Sequence, residues 1–152
     1  MIIYSNGNIF DQDVEAIVNP VNCKGVMGAG LAKQVKERYP FVFKQYVAAC
    51  REGELSPGHL QVVYNRSSSP SPKYIINFAT KDDWVDPSCL EYIESGIRRL
   101  EMAIRYKGIR TIAIPALGCG LGQLSWRVVK PIMEDGLRYF GKDRSIIIMC
   151  PR

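Results

Sequence analysis

Three observations predict an α/β fold with a mixed sheet, flanked by helices on both faces. Short β-rich runs alternate with helical patterns along the whole chain. Glycine loops follow two of those runs and open into helices. The two middle runs, Leu60–Tyr64 and residues 73–78, follow each other with no helix between them, as the strands of an antiparallel hairpin do.

Residues 1–5 read as a first strand that ends at the turn-formers Asn6-Gly7-Asn8, and residues 15–18 as a second. From Gly30 the pattern turns helical through Arg38 and is closed by Tyr39-Pro40. Pro40 suits the first position of a second helix, whose apolar positions include Phe43, Val47 and Cys50. Pro57-Gly58 is a turn before the middle strands. The segment between those strands, Asn65-Arg66-Ser67-Ser68-Ser69-Pro70-Ser71-Pro72, has nothing to pack into a core and reads as a mobile hairpin tip. Ser88-Cys89-Leu90-Glu91 has capping-box spacing, and Leu90, Ile93, Ile97, Leu100 and Ile104 then recur at helical intervals until Gly108. Thr111–Ile114 is a compact buried strand. A helix follows from about 125 to 140, with Pro131 as a kink or the start of its regular part, and residues 145–150 are the last strand.

At 152 residues, 47% apolar and 23% charged, the chain reads as a single globular domain over residues 1–152. No apolar run approaches a membrane span, and Met1-Ile2-Ile3-Tyr4-Ser5 lacks the basic start of a signal peptide, so a cytoplasmic protein without a membrane partner is expected. Five scattered cysteines and the lone His59 suggest neither a disulfide framework nor a metal site; no metal and no cofactor are expected. A net charge of +5 favours an anionic partner such as a nucleotide or nucleic acid, and fits a solvated basic surface equally well.

The strongest ligand signal is the pair of glycine loops. The first, within residues 19–32, follows Ala16-Ile17-Val18 and carries Gly25, Gly28 and Gly30 before the first helix. Glycine permits positive φ and close approach of a ligand, and the first N–H groups of a helix have no internal partner, so phosphate is the expected occupant. Gly25 and Gly30 have P-loop spacing, but Leu31-Ala32 stands where Lys-Ser/Thr would reach phosphate and magnesium, which excludes an ordinary ATPase. The second loop, Gly118-x-Gly120-x-Gly122, lacks the glycine at 123 that a dinucleotide fingerprint needs. Two such loops can close on one diphosphate.

Gly7-Asn8-Ile9, Asn19-Pro-Val-Asn22, the loop from Gly25 to Gly30, Asn77-Phe-Ala-Thr-Lys81 and the stretch from Pro115 to Gly122 together resemble, in that order, a macrodomain. The match is most similar to the branch containing terminal ADP-ribose glycohydrolase and the macrodomains of DarG antitoxins, through Val26-Met27-Gly28-Ala29-Gly30-Leu31-Ala32, Thr80-Lys81 and Gly118-Cys119-Gly120-Leu121. This resemblance implies an ADP-ribosyl glycohydrolase with ADP-ribose as ligand and product. Adenine is expected near Asn8 and Ile9, with Asn8 in place of the usual Asp; an amide oxygen still accepts a hydrogen bond, without charge assistance. The diphosphate is expected between backbone N–H groups of Gly118, Cys119, Gly120 and Leu121 on one side and Val26, Met27 and Gly28 on the other. Asn22 is expected at the distal ribose, and Asn19, Pro115, Leu117 and Gly122 are carried over as further ligand-binding positions.

Lys81 is the catalytic candidate that the resemblance implies. An amine at the distal ribose attacks the anomeric carbon, or its opened aldehyde, and displaces the linked group. Asp82 and Asp83 follow directly and would pair with the ammonium if they faced it. The human-type enzyme of the branch carries Asp where this chain has Gly122, whereas DarG-type members tend to carry Gly. That departure, with the basic balance, favours ADP-ribosylated DNA as the substrate, with Trp84, by stacking, and Arg66 and Lys73 as nucleic-acid contacts. ADP-ribosylated protein and a non-catalytic reader are the alternatives. The expected partners are ADP-ribose, modified DNA and a toxin, and the expected state is a monomer.

Overall fold

The computed structural model describes residues 1–66 and 72–151, so the hairpin-tip reading of residues 67–71 lies outside the described residues. The elements run β1 (Ile2–Ser5), a 3₁₀ turn (Ile9–Asp11), β2 (Ala16–Val21), α1 (Gly30–Arg38), α2 (Pro40–Arg51), β3 (Leu60–Tyr64) and β4 (Tyr74–Ala79). They continue with α3 (Leu90–Lys107), β5 (Thr111–Ile114), α4 (Trp126–Leu137) and β6 (Ser145–Met149). The strands form one six-stranded sheet in the order β1-β6-β5-β2-β4-β3. Every neighbouring pair is parallel except β3–β4, the expected hairpin.

Side-chain alternation along the strands feeds two cores. Ala16, Val18, Ile76, Phe78, Ile112 and Ile114 point to the face covered by α3 and α4. Ile17, Val21, Ile75, Ala79 and Ala113 point to the other, covered by α1 and α2 through Val35, Val42 and Tyr46. A period-2 strand buried on both faces must be apolar at nearly every position, which is why these runs show no polar alternation.

α3 follows its periodic residues: Ile93, Gly96, Ile97, Leu100 and Ile104 are its buried stripe. Gly108, at φ +65°, ends it, and the Ile109 N–H donates to the Ile104 carbonyl at 3.0 Å, the closing bond of a left-handed helix stop. The helix lies unusually close to the sheet and to α4. A Cβ at Gly96 would fall 2.1 Å from Cζ of Phe78, and one at Gly136 2.1 Å from Cγ2 of Ile97.

Two local expectations are corrected. Ser88 does not cap α3: Cys89 is the N-cap residue, and the Ser88 hydroxyl donates to the Thr80 carbonyl instead. The second strand runs to Val21, through Asn19 and Pro20, because β4 pairs with all six of its residues. β5 pairs only with Ala16 and Ile17, so Pro20, which has no N–H to donate, sits where that neighbour has already turned away.

Candidate functional site

The parting of β2 and β5 opens a crevice at the carboxyl ends of the parallel strands. From β2 the chain leaves over one face toward β3 and β4, and from β5 it leaves over the other toward β6. Such a reversal leaves no connection crossing the gap, which makes it the favoured ligand position in open α/β sheets. The crevice contains a chamber of about 550 Å³ and a second of about 410 Å³, which share Leu31, Pro115, Ala116 and Gly120 as lining. They form one elongated cleft, wide enough for a dinucleotide-sized ligand.

The first loop is organised by Asn22, at the end of β2. Its Oδ1 accepts from the Lys24 N–H at 2.9 Å, its Nδ2 donates to the Val26 carbonyl at 2.8 Å, and the Tyr46 hydroxyl lies 2.8 Å from both its Oδ1 and its carbonyl. Asn22 therefore lines the cleft while spending most of its hydrogen-bonding capacity on the loop. Tyr46 is fully buried on α2, where its apolar spacing with Val42 and Ala49 disguises it as a core residue. Tyr46→Phe is expected to cost about 1–3 kcal/mol of stability in urea unfolding, since it leaves buried acceptors unpaired, and to weaken ligand affinity by loosening this loop.

Beyond the loop, α1 starts at Gly30 with Ala29 as its N-cap residue and no capping side chain. Gly30, Leu31 and Ala32 line the larger chamber, so the first N–H groups of the helix open onto it. Among the described residues, the N–H groups of Val26 and Gly28 have no partner within the loop, and both residues line the same chamber. Met27 turns the other way: 1% exposed, its side chain anchors the loop in the α1–α2 core.

The second loop is a compact coil. Cys119 N–H donates to the Ala116 carbonyl, Gln123 N–H to that of Gly120, and Leu124 N–H to that of Gly118, the last at 2.8 Å. The Cys119 N–H, expected as a phosphate donor, here donates within its own loop. Gly118, Gly120, Leu121 and Gly122 have no such backbone acceptor among the described residues, and all four line the larger chamber. Gly118 adopts φ +74°, and a Cβ at Gly122 would fall 2.6 Å from the Gly118 carbonyl oxygen. Gln123, a non-glycine at φ +67°, takes the left-handed turn out of the loop. Burial pushes the Cys119 thiol pKa up, which keeps it a thiol rather than a thiolate nucleophile.

Lys81 stands just past β4, only 9% exposed, in the wall of the larger chamber. Its Nζ donates to the Trp84 carbonyl at 3.3 Å. The neighbouring carboxylates are turned elsewhere. Asp82 pairs with Lys24 at 3.4 Å and Asp83 accepts from the Val85 N–H at 3.3 Å. No carboxylate among the described residues forms an ion pair with Lys81. Trp84, 59% exposed, lines the chamber beside it.

At the other end of the cleft, the smaller chamber is lined by Asn8 and Ile9, the expected adenine positions, by Cys119, expected at the diphosphate, and also by Phe10, Gln34 and Met149, which the sequence did not single out. The Asn8 Oδ1 already accepts from the Phe10 N–H at 2.9 Å, capping the 3₁₀ turn, so one lone pair remains for a ligand. Phe10 is braced by the Arg38 guanidinium 4.1 Å above its ring.

Three other carried-over positions do not present side chains to the cleft. Asn19 is fully buried within β2 and donates to Oδ1 of Asn77, its register partner on β4, at 2.9 Å. Leu117 is fully buried in the α3–α4 core, and Met27 in the opposite one. Pro115 lines both chambers. Arg66 and Lys73 lie at the opposite end of the sheet from Lys81, where β3 ends and β4 begins, so they do not share a surface with Trp84. No three His, Cys, Asp or Glu residues among those described gather closely enough to hold a metal ion.

A Macro domain family model matches residues 18–133. The chain is a macrodomain. Over 130 residues this macrodomain is 46% identical to a DNA ADP-ribosyl glycohydrolase of Mycobacterium tuberculosis, covering 86% of this chain and 37% of the relative. Its structure matches the solved macrodomain of Mycobacterium tuberculosis DarG with a TM-score of 0.95 at 41% identity, covering 100% of this chain and 99% of that one. Thermosipho africanus DarTG, solved in complex with ADP-ribose, matches with a TM-score of 0.89 at 32% identity, covering 98% of this chain and 41% of that one. The macrodomain thus spans well under half the length of the curated relative.

Proposed function

We propose that this macrodomain is an ADP-ribosyl glycohydrolase that holds ADP-ribose along the cleft and releases it from thymidine-linked modified DNA, with Lys81 as nucleophile and without a metal. The observation that carries the reading is the buried Lys81 side chain, unpaired by any carboxylate among the described residues, in the wall of a chamber framed by both glycine loops. The relative in Mycobacterium tuberculosis that acts as a DNA ADP-ribosyl glycohydrolase supports the substrate class. In this arrangement adenine occupies the Ile9–Phe10 end, the diphosphate meets the free N–H groups of the two loops and the α1 start, and the distal ribose lies at Lys81.

The chemistry then needs one amine. As Nζ, in its unprotonated form, bonds to the anomeric carbon, the bond to the base breaks and its electron pair leaves with the base, which takes up a proton. Water next adds at the same carbon, the carbon–nitrogen bond breaks, and free lysine and ADP-ribose result. The Trp84 carbonyl, already 3.3 Å from Nζ, holds the amine in place between turnovers.

In Thermosipho africanus a glycohydrolase of this kind is fused to a DNA ADP-ribosyl transferase. A DNA-modifying toxin is accordingly the partner we propose for this chain. The experiment that tests the function is a side-by-side turnover assay on an oligonucleotide carrying ADP-ribosyl thymidine and on a glutamate-modified protein. Release of ADP-ribose from the oligonucleotide is expected. Release only from the protein would move the substrate, and tight ADP-ribose binding with release from neither would make the domain a reader.

A further inference from the structure

Resting on the reading that the distal ribose lies at Lys81, we propose that the turn at residues 83–86 is the subsite for the group linked to that ribose, and that the Trp84 indole stacks there on a nucleobase. The turn is closed and braced. Asp86 N–H donates to the Asp83 carbonyl at 3.1 Å and Val85 N–H to Asp83 Oδ1, which puts Trp84 and Val85 at its two central positions. Its near end is tied to the first glycine loop, where Cys23 N–H donates to the Asp82 carbonyl at 2.7 Å. Its far end is tied to the second, where Ser88 N–H donates to the Gly122 carbonyl at 3.0 Å while the Ser88 hydroxyl holds Thr80. The Trp84 carbonyl accepts from Lys81 Nζ. The backbone that carries the indole is therefore fixed relative to both loops and to the Lys81 amine.

A side chain that large, left 59% exposed on a rigid turn, is an unfilled apolar contact. Trp84 lines the larger chamber together with Val26 and Leu121, themselves 40% and 68% exposed. These three give an apolar wall to the larger chamber, the one that does not hold Asn8 and Ile9. What fits it is flat and apolar on its faces, as a nucleobase is; base–aromatic stacking needs no particular base edge. An aspartate or glutamate side chain presents no such face. The turn thus selects base-linked over carboxylate-linked ADP-ribose.

The test uses the full chain in a Lys81→Ala background, so that affinity is read without turnover. Trp84→Ala is expected to weaken binding of an oligonucleotide carrying ADP-ribosyl thymidine by about ten-fold or more, the scale of one lost base stack. Trp84→Phe is expected to restore most of that loss. Val85→Ala, whose side chain shares the turn without lining the chamber, should bind as the parent does. Affinity for ADP-ribose itself should stay the same in all three. Unchanged oligonucleotide affinity in Trp84→Ala, or an equal loss for an ADP-ribosyl-glutamate peptide, overturns the proposal. Failure of the parent chain to bind ADP-ribose would overturn the functional reading instead, and is distinguished by that measurement.

Discussion

Lys81→Ala is expected to lose turnover of ADP-ribosyl-thymidine DNA by about 10³-fold or more while still binding ADP-ribose, the pattern of a group needed for the chemical step alone. The Lys81 side chain contributes one hydrogen bond, to Trp84, whereas the turn that follows it is held independently by Cys23 and Ser88. The cleft should therefore survive the substitution. Lys81→Arg is the informative companion, because a guanidinium keeps the positive charge and cannot act as the nucleophile. Both variants should be inactive, with calorimetry showing ADP-ribose affinity close to that of the parent. Turnover in either variant at the parent rate would remove Lys81 from the mechanism, and lost ADP-ribose binding would make it a binding residue.

Gly122→Asp carries the second large expected effect. Other members of the branch place an acid at this position, so the substitution looks like a restoration. In this loop it is a collision, since a Cβ at 122 would lie 2.6 Å from the Gly118 carbonyl oxygen and 2.9 Å from its Cα. These are backbone atoms, and relief requires the coil to open. Opening it breaks the Leu124–Gly118 bond and displaces the Gly122 carbonyl from Ser88. ADP-ribose affinity should fall by about ten-fold or more and stability by roughly 1–3 kcal/mol, read by calorimetry and by urea unfolding. An Asp variant that binds ADP-ribose normally and turns over faster would show that the loop yields at no cost. The tight winding of this loop leaves no room for an acid at 122, so the lysine chemistry proposed above is written without one.

Much of the scaffold was legible in the sequence because it depends on local periodicity. α1 begins at Gly30 and ends at Arg38, as its pattern predicts, and α3 stops at Gly108 because that position needs a left-handed backbone. The hairpin β3–β4 follows from two β-rich runs with no helix between them. Where a local signal has two physical uses, the structure shows one that spacing alone does not reveal. Ser88 has the spacing of a cap, but its hydroxyl serves the Thr80 carbonyl across the chain; Asn19 has the position of a ligand residue, but its amide serves Asn77 on the neighbouring strand. Tyr46 gave no signal at all, being a buried aromatic on an apolar stripe until its hydroxyl is seen to hold Asn22.

By itself the sequence determined the layered α/β architecture, the two glycine loops and the exclusion of an ordinary P-loop ATPase, because backbone φ requirements and hydrophobic period are written residue by residue; Lys81 became a candidate only through the resemblance to macrodomains. Only the tertiary structure decided that β2 and β5 separate to open the cleft, that Asp82 and Asp83 turn away from Lys81, and that Trp84 lines the larger chamber. Those outcomes depend on pairings between residues far apart in the chain, such as Cys23 with Asp82 and Ser88 with Gly122, which no local pattern encodes.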